Sequence, residues 1–133
     1  MAETVARFRS VVLDCPDPNA LAAFYAGVLG GAPEAEDGGE DWVVVQVPGG
    51  PRLAFQRAGK DYTPPEWPRS DRNAQQLHLD LDGGSTWAEI DAAEEKVLAL
   101  GARRLQAPEG EDFRVYADPA GHPFCLCRIE HGG

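Results

Sequence analysis

The stretch DFRVYADPAGHPFCLCR, Asp112 to Arg128, decides how this chain reads. It has the pattern of a strand, a tight turn and a second strand. Phe113, Val115 and Tyr116 in the first arm and Phe124 and Leu126 in the second are apolar, and Asp118-Pro119-Ala120-Gly121 supplies the turn chemistry between them. The same pattern occurs earlier as DWVVVQVPGGPRLAFQR, Asp41 to Arg57. Laid over each other without a gap, the two match Asp41 with Asp112, Val44 with Val115, Pro48 with Pro119, Gly50 with Gly121 and Arg57 with Arg128. Trp42 pairs with Phe113 as an aromatic, and Leu53 with Phe124 as a core residue. A hairpin used twice predicts a module used twice.

The repeat extends outward from the hairpins. From Ala20 to Arg57 the first half maps onto Asp91 to Arg128 at a constant offset of 71 residues. Leu21, Phe24, Tyr25, Val28 and Leu29 form the stripe of an amphipathic helix over Ala20 to Leu29, and Gly30-Gly31 stops it. Asp17 or Asn19 is placed to cap it. In the second half, Trp87 to Leu100 carries Ile90, Ala93, Val97, Leu98 and Leu100. Ser85 or Thr86 can cap that helix, with Glu89 completing a capping box on Thr86, and Gly101 closes it. The first strands, Phe8 to Cys15 and Gln75 to Asp82, align at an offset of 68, which leaves three extra residues in the second strand-to-helix loop. In QQLHLDLD, Leu77, Leu79 and Leu81 alternate with Gln76, His78, Asp80 and Asp82. Each module reads as strand, helix, strand, strand, strand. One such unit is half a core, and two can bury their helices against a sheet system. The expected boundaries are about residues 8–57 and 75–129, within one domain over 1–133.

Between the modules lies AGKDYTPPEWPRSDRNA, Ala58 to Ala74. Pro64, Pro65 and Pro68 exclude regular hydrogen-bonded structure, so it reads as a linker. Tyr62 and Trp67 are large apolar groups for such a segment and are expected to dock on the body.

A formal net charge of −10 in 133 residues argues against nucleic acid as a partner, which needs clustered Lys and Arg. Spread acidic residues make a solvated surface. No apolar run approaches the roughly 20 residues that span a bilayer, and MAETVARFRS lacks the form of a signal peptide. A cytoplasmic location is the expectation. Three cysteines, Cys15, Cys125 and Cys127, do not suggest a disulfide framework. Cys125 and Cys127 sit two apart on one strand face and cannot easily bridge each other.

LDCPDP…FYAGVLG in the first half and ADPAGHPFCL in the second, in this module order, resemble the vicinal oxygen chelate superfamily. This is the group of glyoxalase I, bleomycin-resistance proteins and extradiol dioxygenases, and the small glyoxalase-like domain proteins are the most similar in phrasing. The resemblance covers about residues 8 to 129. It implies an α+β fold in which two tandem βαβββ modules make an eight-stranded curved sheet, an open cup with helices outside and the ligand inside. It also implies, for metal-dependent members, four ligands from the first and last strands of each module. Carried over, those positions are Ser10, Ala54, His78 and Cys125. Only His78 is a standard ligand of that family.

The expectation is therefore a protein that binds a small apolar or aromatic organic molecule without the usual four-ligand metal site. His78 would supply its polar contact and, if there is chemistry, act as the catalytic acid or base. Ser10, Gln56, Asp80, Arg114, Cys125 and Trp67 complete the candidate binding set, with Arg114 as a donor to Asp80 or as a solvent-facing residue, and Trp67 as a lid. No metal is assigned, and the cofactor is left unknown. If a divalent metal is bound, His78, Gln56 and Cys125 are the expected ligands, and the protein is then a lyase, isomerase or dioxygenase of the same superfamily. A non-catalytic protein-interaction module is the third reading. His122 is either a polar group at a pocket rim or a turn residue beside Pro123. The resemblance also implies a homodimer.

Overall fold

The computed structural model describes residues 4–36 and 39–129. The chain divides into two compact units, residues 1–60 and 61–133. The first contains β1 (Val11–Cys15), α1 (Pro18–Leu29), β2 (Pro33–Ala35), β3 (Trp42–Gln46) and β4 (Arg52–Arg57). The second contains β5 (Leu79–Gly84), α2 (Trp87–Leu100), β6 (Arg103–Gln106), β7 (Phe113–Ala117) and β8 (Pro123–Arg128). The sheet orders are β1-β4-β3-β2 and β5-β8-β7-β6. In each, the first strand runs parallel to the last and the other pairs are antiparallel. The protein is thus α+β, built from two tandem βαβββ modules. Residues 61–74 group with the second unit.

The repeated Asp and Arg close both hairpins in the same way. Arg57 Nε donates to Asp41 Oδ1 at 2.9 Å, and the Arg57 amide donates to the Asp41 carbonyl at 2.9 Å. Arg128 donates to Asp112 Oδ1 through Nε at 3.1 Å and Nη2 at 2.6 Å, and its amide donates to the Asp112 carbonyl at 2.7 Å. The guanidinium also reaches the strand-to-helix loop, donating to the Pro16 carbonyl in the first module and the Ser85 carbonyl in the second. The ends of the repeated stretch therefore join the hairpin base to the loop that launches the helix.

Both helices start as their residues indicate. Asp17 accepts from the Ala20 amide, with Pro18 in the first turn. Thr86 and Glu89 form a reciprocal capping box. Each helix covers one face of its own sheet, α1 against β3 and β4, and α2 against β5 and β8. Tyr25 of α1 stacks on Phe55 with ring centroids 5.7 Å apart, and both are fully buried. In the second unit Tyr116 stacks on Phe124 at 5.5 Å, and the Tyr116 hydroxyl donates to Glu94 of α2 at 2.8 Å. Burying each such ring contributes roughly 1.5–3 kcal/mol.

Both first strands are shorter than the alternation suggests. The β1 ladder begins at Val11 opposite Leu53, because the partner strand starts just after the turn at Pro51, which has no N–H to give. Phe8 is left 76 % exposed. The β5 ladder begins at Leu79 opposite Phe124, so Leu77 is exposed and His78 stands one residue outside the strand. The acidic segment 32–39 supplies the edge strand β2, while Asp37 and Gly38 lie outside the described residues.

Tyr62 docks within its own unit, donating to the Ala120 carbonyl at 2.7 Å with its oxygen 3.4 Å from His122 Nε2. Trp67 Nε1 donates to Gln106 Oε1 at 3.3 Å. No described helix is long and apolar enough to cross a membrane.

Candidate functional site

Strand alternation sorts the candidate residues by face. In the second sheet Tyr116, Phe124 and Leu126 point toward α2. Val115, Cys125 and Cys127 of the neighbouring positions, with Asp80 and Asp82 opposite the two thiols, point the other way. His78 joins this helix-free face, its Nε2 3.2 Å from Asp80 Oδ1. A His78 ring nitrogen, an Asp80 oxygen and Cys125 Sγ all lie within 4.8 Å of one another. His78 and Asp80 are exposed and Cys125 is buried, so a buried thiol sits behind two accessible polar groups. If the neutral imidazole donates Nε2–H to Asp80, Nδ1 is left as an acceptor for a ligand.

The thiols are held protonated. Burial first, and then the negative charge of Asp80, push the Cys125 pKa up to about 12. Burial followed by Asp80 and Asp82 raises Cys127 as well. A nucleophilic cysteine needs the opposite environment, one that lowers its pKa. Cys125 is therefore not arranged as a nucleophile.

Arg114 is not where an Asp80 partner would be. It projects from the helix side of β7, 2.9 Å from Asp91 and 3.6 Å from Glu94, with its guanidinium 5.2 Å from the centre of the Trp87 ring. The reason is parity: Arg114 is the cross-strand partner of Leu126, which faces α2, so its side chain meets helix acids. The solvent-facing alternative also fails, since the side chain is only 16 % exposed. Arg114 lines instead an open hollow of about 330 Å³ with Trp87, Pro108, Glu109, Glu111 and Phe113.

In the first unit Phe55 faces α1, so Ala54 and Gln56 occupy the helix-free side of β4. Ala54 is completely buried and Gln56 is exposed. Ser10 precedes β1, and its hydroxyl accepts from Arg52 Nη1 at 3.4 Å. Trp67 is half-buried, its indole N–H engaged by Gln106. His122 lies in the β7–β8 turn, its amide held by Asp118 and its ring near Tyr62, which agrees with the turn role.

Alternation along QQLHLDLD puts Asp80 on the face of His78, and the β5–β8 register then sets it directly across from Cys125, so it stands as a third donor there.

The family profile of the glyoxalase-like domain matches residues 10–127. The two βαβββ modules are those of the vicinal oxygen chelate superfamily, and the chain belongs to the glyoxalase-like domain family within it. A glyoxalase/bleomycin resistance protein/dioxygenase family enzyme from Burkholderia phytofirmans superposes with a TM-score of 0.68 at 19 % identity, over 90 % of this chain and 96 % of that one. A glyoxalase-related enzyme from Fulvimarina pelagi gives 0.65 at 21 % identity, over 94 % and 89 %. The fosfomycin resistance protein FosX from Mesorhizobium loti gives 0.65 at 16 %, over 96 % and 95 %. At these identities the likeness is one of fold. No protein of curated description matches the chain.

By resemblance, the family's four metal-ligand positions fall on Ser10, Ala54, His78 and Cys125. Ala54 has a methyl group and is 0 % exposed, and the Ser10 hydroxyl is a weak ligand already bonded to Arg52. Two of four positions cannot serve a divalent ion that wants three or four protein ligands. The residues at those carried-over positions therefore do not make up a four-ligand set.

Proposed function

We propose that the protein is a binding member of its family, holding a small apolar or aromatic organic molecule against the helix-free face of the second sheet. His78 supplies the polar contact and Asp80 orients it. The observation that carries this reading is the pair itself: an imidazole 40 % exposed, held 3.2 Å from a carboxylate, at the one family ligand position that keeps a standard side chain. Val115 and Cys125 are buried behind the pair, so the accessible contact surface here is that of His78 and Asp80. The usual four-ligand metal site plays no part, because the first module offers Ser10 and Ala54 at its positions. Fold does not decide between a binder and an enzyme, so the reading rests on the site.

Calorimetric titration with substituted phenols and aromatic heterocycles tests it. His78→Ala is expected to weaken any ligand found by about 10-fold, the worth of a hydrogen bond of roughly 1–1.5 kcal/mol. Ligands that bind the variant as tightly as the wild type would overturn the assignment. Pairing of two chains is a further part of the reading by family likeness, and sedimentation velocity checks it.

A further inference from the structure

Three donors of different chemistry converge within one module. A His78 ring nitrogen, an Asp80 oxygen and Cys125 Sγ lie within 4.8 Å of one another. The backbone puts them there: Asp80 and Cys125 are Cα partners in the β5–β8 ladder, and His78 is two residues before Asp80, so all three side chains turn to one side. An ion with tetrahedral bonds of about 2.0–2.3 Å spaces its donors roughly 3.3–3.8 Å apart. His78 Nε2 and Asp80 Oδ1 already stand 3.2 Å apart.

We propose that His78, Asp80 and Cys125 form a three-donor site for a borderline-soft divalent ion of the zinc class. The donor set selects the ion. Magnesium and calcium want oxygen ligands alone, whereas a sulfur, an imidazole nitrogen and one carboxylate oxygen suit zinc. This is a different set from the family's: Asp80 lies off the positions the family uses, and the first module contributes nothing. It also differs from the His78, Gln56 and Cys125 set expected from the sequence. Binding displaces the thiol proton and makes the sulfur a ligand. Three protein donors leave one position open, which an oxygen of an organic molecule can fill, so the ion and a ligand can share this face. The inference does not rest on an organic ligand, because its readout is the ion alone.

Cobalt(II) is the probe. Chelator-treated protein titrated with Co²⁺ is expected to develop a sulfur-to-cobalt charge-transfer band that saturates at one equivalent and is abolished by Zn²⁺. Cys125→Ser should lose the band. His78→Ala and Asp80→Asn should each weaken Co²⁺ binding by at least the roughly 10–100-fold that loss of an outer-shell partner costs a metal site. Both alter exposed residues, so they decide the matter even if Cys125→Ser does not fold. Gln56→Ala should change nothing, and weakened binding there would restore the other ligand set. No band at one equivalent, a band lost in Cys127→Ser but kept in Cys125→Ser, or an affinity that His78→Ala and Asp80→Asn leave unaltered would each overturn the site, the last marking an adventitious ion only.

Discussion

Arg128 holds Asp112 through two of its nitrogens, at 2.6 and 3.1 Å, across the base of the second hairpin. Arg57 and Asp41 make the corresponding contact in the first. The second clamp is the more protected, its side chains 28 % and 42 % exposed against 41 % and 87 %. Arg128 also lies 5.3 Å from the centre of the Trp87 ring. Arg128→Ala is therefore expected to cost about 1–2 kcal/mol in urea denaturation, and Arg57→Ala about 0.5–1 kcal/mol, since exposed pairs are worth little. Equal costs would mean that the cation–π contact and the lower exposure contribute nothing.

The capping box gives a pH-dependent prediction. Thr86→Ala should lower stability by about 1 kcal/mol. The Glu89 carboxylate accepts from the Ser85 amide, the Thr86 and Ser85 hydroxyls and the Thr86 amide, which holds its pKa below the ordinary 4.5. A depressed carboxylate stabilises the fold above its unfolded value, and the contribution is lost as pH falls through the folded one. The stability gap between wild type and Glu89→Gln should be full at pH 7 and close progressively below about 4.5. A gap that persists unchanged in acid would contradict this.

The two-module architecture was readable in the sequence because the repeat keeps its length from helix to hairpin, so Asp41, Asp112, Arg57 and Arg128 mark the same corners twice. Caps and glycine stops are local chemistry and were equally visible. Pairing across non-local strands was not. Alternation assigns His78 and Asp80 to a common face, but only the parallel β5–β8 register shows that Cys125 stands opposite Asp80. That Arg114 replaces Val43 of the first hairpin was legible, but its side was not: Val43 is fully buried, and Arg114 meets the helix acids Asp91 and Glu94. Strand starts ran too long because the alternation of FRSVVLDC and QQLHLDLD continues past the point where partner strands end.

Cys125 should be slow to react in the metal-free protein. With its pKa pushed up to about 12, little thiolate exists at pH 8, and burial limits access. Asp80→Asn removes one raising charge and should quicken alkylation, though burial, the larger cause, keeps the thiol above its ordinary 9.0. Because the folded value is raised, its contribution to stability is complete below about 9 and is lost as pH climbs toward about 12. Mass-spectrometric labelling kinetics follow each cysteine separately. Labelling of Cys125 as fast as that of a free peptide thiol would contradict the burial.

Gly121 lets the proline-rich segment lie against the second hairpin. Its φ of +92° disfavours side chains, and an added Cβ would come 2.5 Å from Pro64 Cβ. Gly121→Ala is expected to loosen residues 61–74, and Tyr62→Phe, which removes the bond to Ala120, to cost about 1 kcal/mol. Hydrogen exchange over this segment should rise in Gly121→Ala while α2 stays protected. Unchanged exchange would show that the segment is held elsewhere.

The most direct measurement is a fragment titration of isotope-labelled protein with phenols and aromatic heterocycles, followed residue by residue in amide spectra. The account requires shifts centred on His78, Asp80, Val115 and Cys125 that disappear in His78→Ala. Shifts confined to Trp87, Phe113 and the 107–111 loop, or shifts at the His78 face that survive His78→Ala, would contradict it.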